Sequence, residues 1–246
     1  MNRPHVLVNV AMTADGKIDS ALRKGAAISS AADKRRVDAL RASVDAVLVG
    51  GHTLLAEDPK LTVKSAELRR ERIRRGLPEN PIKVGVVTEI PPFGVPGTRL
   101  DDAGGHRLHL QQFLSTGPAQ VFLFTTNCTS PDVIAQLETA WTKVQITGKK
   151  RVDLVAMLES LYAAGIRSVL VEGGGTLIAE LFRLGLVDEV SAYIASKVFG
   201  GASAPTLADG PGFLPEQAPG LALVSVEKFD DEGGVLVHYK VKNQNS

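Results

Sequence analysis

The sequence predicts an α/β protein: a mainly parallel central sheet flanked by helices, with an antiparallel hairpin at its C-terminal end. Three observations carry that expectation. Short β-branched apolar runs alternate with helix-length segments along most of the chain. Several of those runs stop at turns rich in glycine or at an Asp-Gly pair, where a strand hands over to the next element. The chain ends in two strand-like segments around Asp230-Asp231-Glu232-Gly233-Gly234, a hairpin turn by composition.

Taken in order, Val6 to Ala11 reads as a buried strand running into the turn Thr13-Ala14-Asp15-Gly16-Lys17. Ser29 or Ser30 can cap a helix extending to about Ala42. Asp45 to Val49 is a second strand that ends in Gly50-Gly51. Residues 65–80 read as a solvated, arginine-rich helix closed by Gly76 and Pro78, and Val84 to Thr88 as a strand. The stretch 89–117, rich in Pro and Gly, reads as a long loop with room for one short helix. Strand, helix and strand follow at Val121–Thr125, Pro131–Ala140 and Val144–Ile146, then a helix from Val152 to Ala163 that stops at Gly165. Ser168–Val171, the turn Glu172-Gly173-Gly174-Gly175 and Thr176–Leu184 form a strand, glycine turn and helix. Val187–Ile194, Leu221–Phe229 and Val235–Val241 complete the strands. No internal repeat or linker interrupts the pattern, so one domain over 1–246 is expected.

Composition narrows the function classes. With 28 basic against 27 acidic residues, the surface is not that of a protein that wraps nucleic acid. Cys128 is the only cysteine, so no intrachain disulfide can form, as suits a reducing compartment. No apolar run reaches bilayer length, and the segment after Met1 is short and strand-like rather than a signal sequence. A cytoplasmic protein with a small-molecule partner, and neither nucleic acid nor membrane, is the expectation.

Two glycine turns hold the chemical interest. In Val171-Glu172-Gly173-Gly174-Gly175-Thr176 the backbone can approach a ligand closely, and the following helix presents free N–H groups to an anion such as a pyrophosphate. Gly50-Gly51-His52-Thr53 follows another strand, and ligands of parallel sheets sit at the carboxyl ends of strands. Each turn alone is equally compatible with a plain connection, Asp15 with a solvated Asp-Gly turn, and His52 with an ordinary loop residue. The histidines and the cysteine show no metal-ligand spacing, and no GxSxG nucleophile turn occurs. The arginines at 69–75 read as a solvated helix face.

In their order, the motifs resemble the reductase domain of riboflavin biosynthesis, which has a dihydrofolate-reductase-like fold. The matching pieces are Ala11 to Lys17, Ile28-Ser29-Ser30, Leu40-Arg41-Ala42, Asp45 to Gly50, Thr53 to Lys64, Glu172 to Thr176, Val187-Asp188-Glu189 and Gly200-Gly201. The resemblance implies NADPH-dependent reduction of the ribosylamino group of 2,5-diamino-6-ribosylamino-4(3H)-pyrimidinone 5′-phosphate, and a homodimer. It places Ala11, Thr53, Glu57, Thr88, Gly173, Gly174, Gly175 and Thr176 on the NADPH. Glu57 stands where the family usually has aspartate. Arg41, Leu61, Lys64 and Glu172 would face the small phosphorylated pyrimidine, Arg41 toward its phosphate, with Lys64 replacing an arginine of many relatives. Asp15 would lie near the hydride transfer and relay a proton if burial raises its pKa.

The HxE and PCxxC pattern of the zinc deaminase fused to bacterial relatives is absent. Reduction of 5-amino-6-(5-phosphoribosylamino)uracil beside a separate deaminase therefore stands as an alternative. So does another NADPH-dependent reductase of the same fold, or a nucleotide-binding module without catalysis. The position of the only tryptophan, Trp141, weighs against dihydrofolate reductase itself, which carries one in its early loop.

Overall fold

The computed structural model describes residues 2–92 and 110–242. Among these residues nine strands form one sheet: β1 (His5–Thr13), β2 (Ala46–Gly50), β3 (Ile82–Val86), β4 (Val121–Thr125), β5 (Thr142–Ile146), β6 (Ser168–Val171), β7 (Glu189–Ala195), β8 (Leu221–Lys228) and β9 (Val235–Val241). Their order across the sheet is β5-β4-β3-β2-β6-β1-β7-β9-β8. Every pairing from β5 to β7 is parallel, and β9 joins β7 and β8 antiparallel. The mainly parallel sheet with an antiparallel C-terminal hairpin is thus the architecture the sequence predicts.

Helices cover both faces because the central strands are apolar on both. On β1, Val6, Val8 and Val10 belong to a core shared with α6 (Leu154–Ala163) and α7 (Gly175–Arg183), through Met157, Leu161, Ile178 and Leu181. The opposite core gathers Val47 and Val49 of β2, Leu54 of α2 (Gly51–Glu57), Phe113 of α4 (Gln111–Ser115), and Val133 and Leu137 of α5 (Pro131–Leu137). Two further helices, α1 (Ala31–Ser43) and α3 (Ala66–Arg74), pack against each other. Ser30 is the cap of α1: its hydroxyl accepts the Asp33 N–H at 3.1 Å.

The structure corrects two local expectations and bears out a third. Gly50-Gly51 is not a turn into a loop, because α2 begins at Gly51 and His52 lies on that helix. The arginine-rich segment is not uniformly solvated. Arg72 of α3 is 1% exposed and donates to the carbonyls of Pro78, Ala42 and Val44, at 2.9, 2.9 and 2.7 Å. A guanidinium has five donors in a fixed fork, so it can tie three chain ends that no helix or strand satisfies. Within 89–117, α4 supplies the short helix, while residues 93–109 lie outside the described residues. Asp58 accepts the first N–H groups of α4, from Gln112 and Phe113, both at 2.8 Å. At its other end, buried Lys83 donates to the Phe113 and Thr116 carbonyls.

Arg72→Leu strands three buried carbonyls and should cost about 3 kcal/mol, read as a lower urea midpoint at unchanged m-value. Arg70→Leu, on the exposed side of α3, should shift stability by less than about 0.5 kcal/mol.

Candidate active site

A cleft of about 920 Å³ opens at the carboxyl ends of the parallel strands. β2 and β6 lie side by side, and each leads through glycines directly into a helix, α2 and α7. Gly50 N–H donates to the Gly173 carbonyl at 2.9 Å, which joins the two turns. Neither helix has a side-chain cap, so the free N–H groups of both first turns lie at the same cleft. Gly173 has φ +128°, a backbone region that side chains rarely adopt. A Cβ on Gly175 would overlap the Thr206 carbonyl oxygen and stand 3.0 Å from the Asp209 carboxyl. The arrangement suits a ligand with a pyrophosphate, since the backbone provides close approach and unpaired donors together.

At one end of the cleft lies Glu172, directly after β6. Arg41 of α1 grips it with two hydrogen bonds of 2.7 Å, Nε to Oε1 and Nη2 to Oε2, and donates through Nη1 to the Thr62 carbonyl at 3.1 Å. The two side chains are 16% and 10% exposed. Burial works against the Arg41 charge, but the Glu172 carboxylate outweighs it and raises the pKa further. Behind this pair a smaller recess of about 240 Å³ is lined by Lys34, Arg41 and Lys64 with Ser29 and Asp38. Asp38 accepts the backbone N–H groups of Lys64 and Ser65 at 2.6 and 2.8 Å, fixing where Lys64 starts. Among the described residues no acceptor is bonded to the ammonium of Lys34 or of Lys64. The recess and the cleft share Ala26, Ser29 and Val37.

The segment from Asp19 to Ala26 forms a wall of the cleft. Asp19 accepts N–H groups from Ser20, Gly25 and Ala26 at 2.6, 3.0 and 2.8 Å. Facing it, Glu57 at the end of α2 has a raised pKa, first because the cleft walls exclude water from its carboxyl and then because Asp19 repels its charge.

The cleft brings together Ala11, Thr53, Glu57, Thr88, Glu172, Gly173, Gly174, Gly175 and Thr176. Arg41 and Lys64 line the recess instead. Leu61 lines neither. It is 2% exposed, has φ +49°, and belongs to the core under the recess-bearing loop. Asp15 also lies outside both, and the condition attached to its relay role is not met. It is exposed, accepts from the Thr13 hydroxyl at 2.5 Å and from the Gly200 and Phe199 N–H groups at 2.8 and 3.2 Å, and is lowered to about 2. The Thr13 hydrogen bond is the largest cause. A carboxyl held that low is a loop clamp, and it carries no proton to deliver near neutral pH. Sequence reasoning missed Asp19 and Arg151, which lie on connections without a motif, and Lys34, whose place on α1 does not by itself mark it as facing the recess. Of these only Arg151 was signalled, by the charge run Lys149-Lys150-Arg151.

The RibD C-terminal domain family matches residues 4–234. The chain belongs to that family. Among related proteins, the 2,5-diamino-6-ribosylamino-4(3H)-pyrimidinone 5′-phosphate reductase of Archaeoglobus fulgidus is 39% identical over 212 residues, covering 86% of this chain and 89% of the relative. The reductase of the same name from Methanothermobacter thermautotrophicus is 34% identical over 242 residues, with 98% and 99% covered. RibD of Acinetobacter baumannii has a TM-score of 0.71 at 21% identity, and the match covers 99% of this chain but 59% of that one. A pyrimidine reductase-like protein of Corynebacterium diphtheriae reaches 0.75 at 17% identity, with 99% and 94% covered. At such identities these likenesses speak for the fold, and it is the dihydrofolate-reductase-like fold of RibD reductases. Among the described residues no group of three or more His, Cys, Asp or Glu is arranged to hold a metal, and no helix is long and apolar enough to cross a membrane.

The clamp assignment of Asp15 has a signed consequence. Its carboxyl is lowered in the folded chain from the ordinary 3.8 to about 2, so its contribution is present above pH 4 and is lost as pH falls through 2. Asp15→Asn should lower Tm at pH 7, and the gap to the parent should narrow on acidification toward pH 3. A gap that stays constant, or widens, contradicts the clamp.

Proposed function

We propose that the protein uses NADPH to reduce the ribosylamino group of 2,5-diamino-6-ribosylamino-4(3H)-pyrimidinone 5′-phosphate to the ribitylamino form. The single observation that carries this reading is the union of one cleft, floored by two uncapped helix N-termini, with a recess whose ammonium groups have no partner among the described residues. The cleft suits a dinucleotide and the recess a phosphomonoester, with Glu172 and Arg41 between them. Two relatives named for the diamino-pyrimidinone substrate support that compound over the aminouracil.

Bound NADPH would supply the hydride, with its pyrophosphate at Gly50-Gly51 and Gly173-to-Thr176 and its other contacts at Ala11, Thr53, Glu57 and Thr88. In the substrate the C1′–O4′ bond breaks, the exocyclic nitrogen gives up its proton and O4′ takes one, leaving a neutral C1′=N imine. Hydride from the bound cofactor at C1′ and a proton at nitrogen would give the ribitylamine. Glu172 accepts hydrogen bonds from the pyrimidine or the opened sugar, and the Arg41 fork fixes the direction of its carboxylate. Lys64 and Lys34 neutralise the phosphate, helped by the N–H groups that Arg41 has left. Leu61 acts from beneath, by shaping the loop that carries Lys64.

The reading includes a cytoplasmic homodimer. The chain's lone cysteine suits the compartment. The dimer is supported by an apolar row on the outermost strand, where Leu221, Leu223 and Val226 are 38%, 58% and 58% exposed. They lie on the same face of the hairpin as Val241, Tyr239 and Val237, their partners across β9.

Steady-state rates should favour NADPH over NADH, and equal or better kcat/KM with NADH would overturn the cofactor reading. Gly174→Val should weaken NADPH binding with the circular dichroism unchanged, because its side chain enters the pyrophosphate path.

Phosphate recognition is separable from the rest. Lys64→Ala should raise KM for the phosphorylated substrate by about tenfold or more and leave the dephosphorylated ribosylamine unaffected. Arg41→Ala should impair both, since it also releases Glu172. Equal losses on both substrates with Lys64→Ala would place the phosphate elsewhere.

A further inference from the structure

The cleft extends beyond the pyrophosphate cradle to an end where Thr88 alone has been assigned a role and no charged residue has. Its lining runs from Ala11 on β1 and Glu172 after β6, past Gly50 of β2, to Thr88 beyond β3 and Arg151 on the turn after β5. Neighbouring strands lie about 4.8 Å apart, so Thr88 is about two spacings, roughly 10 Å, from the end of β6. With the substrate recess on the Glu172 side, a dinucleotide centred on the two glycine turns has its nicotinamide toward β1 and its adenosine toward β3 and Arg151.

Arg151 is held there by the backbone. Gly148 takes φ +90°, and a Cβ on it would overlap the Arg151 carbonyl oxygen. Asp153 N–H closes the turn on the Thr147 carbonyl at 3.2 Å, and the Asp153 carboxylate caps α6 through Val155 and Ala156 N–H groups, each at 3.0 Å. The guanidinium of Arg151 is bonded to no acceptor among the described residues. The acid in its neighbourhood, Glu180 on the cleft face of α7, is already engaged by Arg183, with hydrogen bonds of 2.7 and 2.5 Å. Among the residues that line this end of the cleft, two arginines, Arg151 and Arg183, stand against the single carboxylate of Glu180. Arg23, which also lines the cleft, stands at the other end and donates to the Ser203 carbonyl at 3.0 Å.

We propose that Arg151 reads the 2′-phosphate of the cofactor's adenosine ribose and so sets the preference for NADPH over NADH, an inference that rests on the dinucleotide reading of the cleft. A free, doubly donating guanidinium matches a phosphate dianion, whereas a 2′-hydroxyl offers it no charge. Arg183 is a weaker candidate because its fork is spent on Glu180.

Calorimetric titration of the full chain with 2′,5′-ADP and with 5′-AMP isolates the 2′-phosphate without any turnover. The parent should bind 2′,5′-ADP about tenfold or more tightly than 5′-AMP, the typical worth of a charge-assisted hydrogen bond. Arg151→Ala should bring that ratio close to one by weakening 2′,5′-ADP alone, and Arg151→Lys should keep part of it. Circular dichroism checks the fold of each variant. An unchanged ratio in Arg151→Ala, or an equal loss of both ligands, overturns the assignment. A parent that binds both ligands equally overturns it too, with the dinucleotide reading intact. A parent that binds neither overturns the dinucleotide reading itself.

Discussion

The whole site depends on how closely the ends of β2 and β6 approach each other. Gly50 and Gly173 share a backbone hydrogen bond, and a Cβ on Gly50 would stand 3.2 Å from Leu177 Cβ and 3.6 Å from Gly174 N. That contact lets two helices start at one place with their N–H groups unspent. Neighbouring strands in most sheets end in side chains that would fill this space. Here glycine keeps it open for a ligand, and Gly175 lets the Thr206–Asp209 segment close over the base of α7. The core beneath is apolar on both faces of the sheet, so the strand ends are held rigidly while the turns above them carry polar groups.

Charge is distributed to match. The cleft's centre relies on backbone donors, which cost no side-chain entropy to order and need no counter-ion. The recess relies on lysines, and its one arginine is half-committed to Glu172. Arg41 therefore couples two sides of the site: its fork fixes the carboxylate, its Nη1 holds the Thr62 carbonyl, and its side chain lines the recess with Lys34 and Lys64. Glu57 and Asp19 oppose each other across the cleft wall, and their repulsion is relieved when a proton or a ligand donor reaches Glu57. Asp15 serves a different end, since all its oxygens are directed at the backbone and hydroxyl that shape the loop after β1.

The two glycine turns and the pattern of strands were legible because they obey local rules. A β-branched run bounded by glycine has few alternatives to a strand ending in a tight turn, and Ser30, three residues before Asp33, has the chemistry of a cap. The helix at Gly51 escaped because two glycines read as a break, although the following His52-Thr53-Leu54-Leu55-Ala56 has adequate helix-forming residues. Arg72 escaped for another reason. Nothing in an arginine-rich helix marks which guanidinium faces the protein, because its acceptors come from Ala42, Val44 and Pro78, outside that helix.

By itself the sequence determined the class of sheet, the strand that closes it, and the residue types gathered at its carboxyl ends, since periodicity and glycine placement act over a few residues. Tertiary structure alone decided how those residues divide their work. It put β6 between β1 and β2, which sets Glu172 beside Arg41 across 131 positions of chain. It sent Lys64 to a recess with Lys34 of α1, buried Leu61 under the loop that carries Lys64, and turned Asp15 away from the cleft. Such outcomes depend on which carbonyls, ammonium groups and carboxylates meet through space, and no spacing along the chain encodes that.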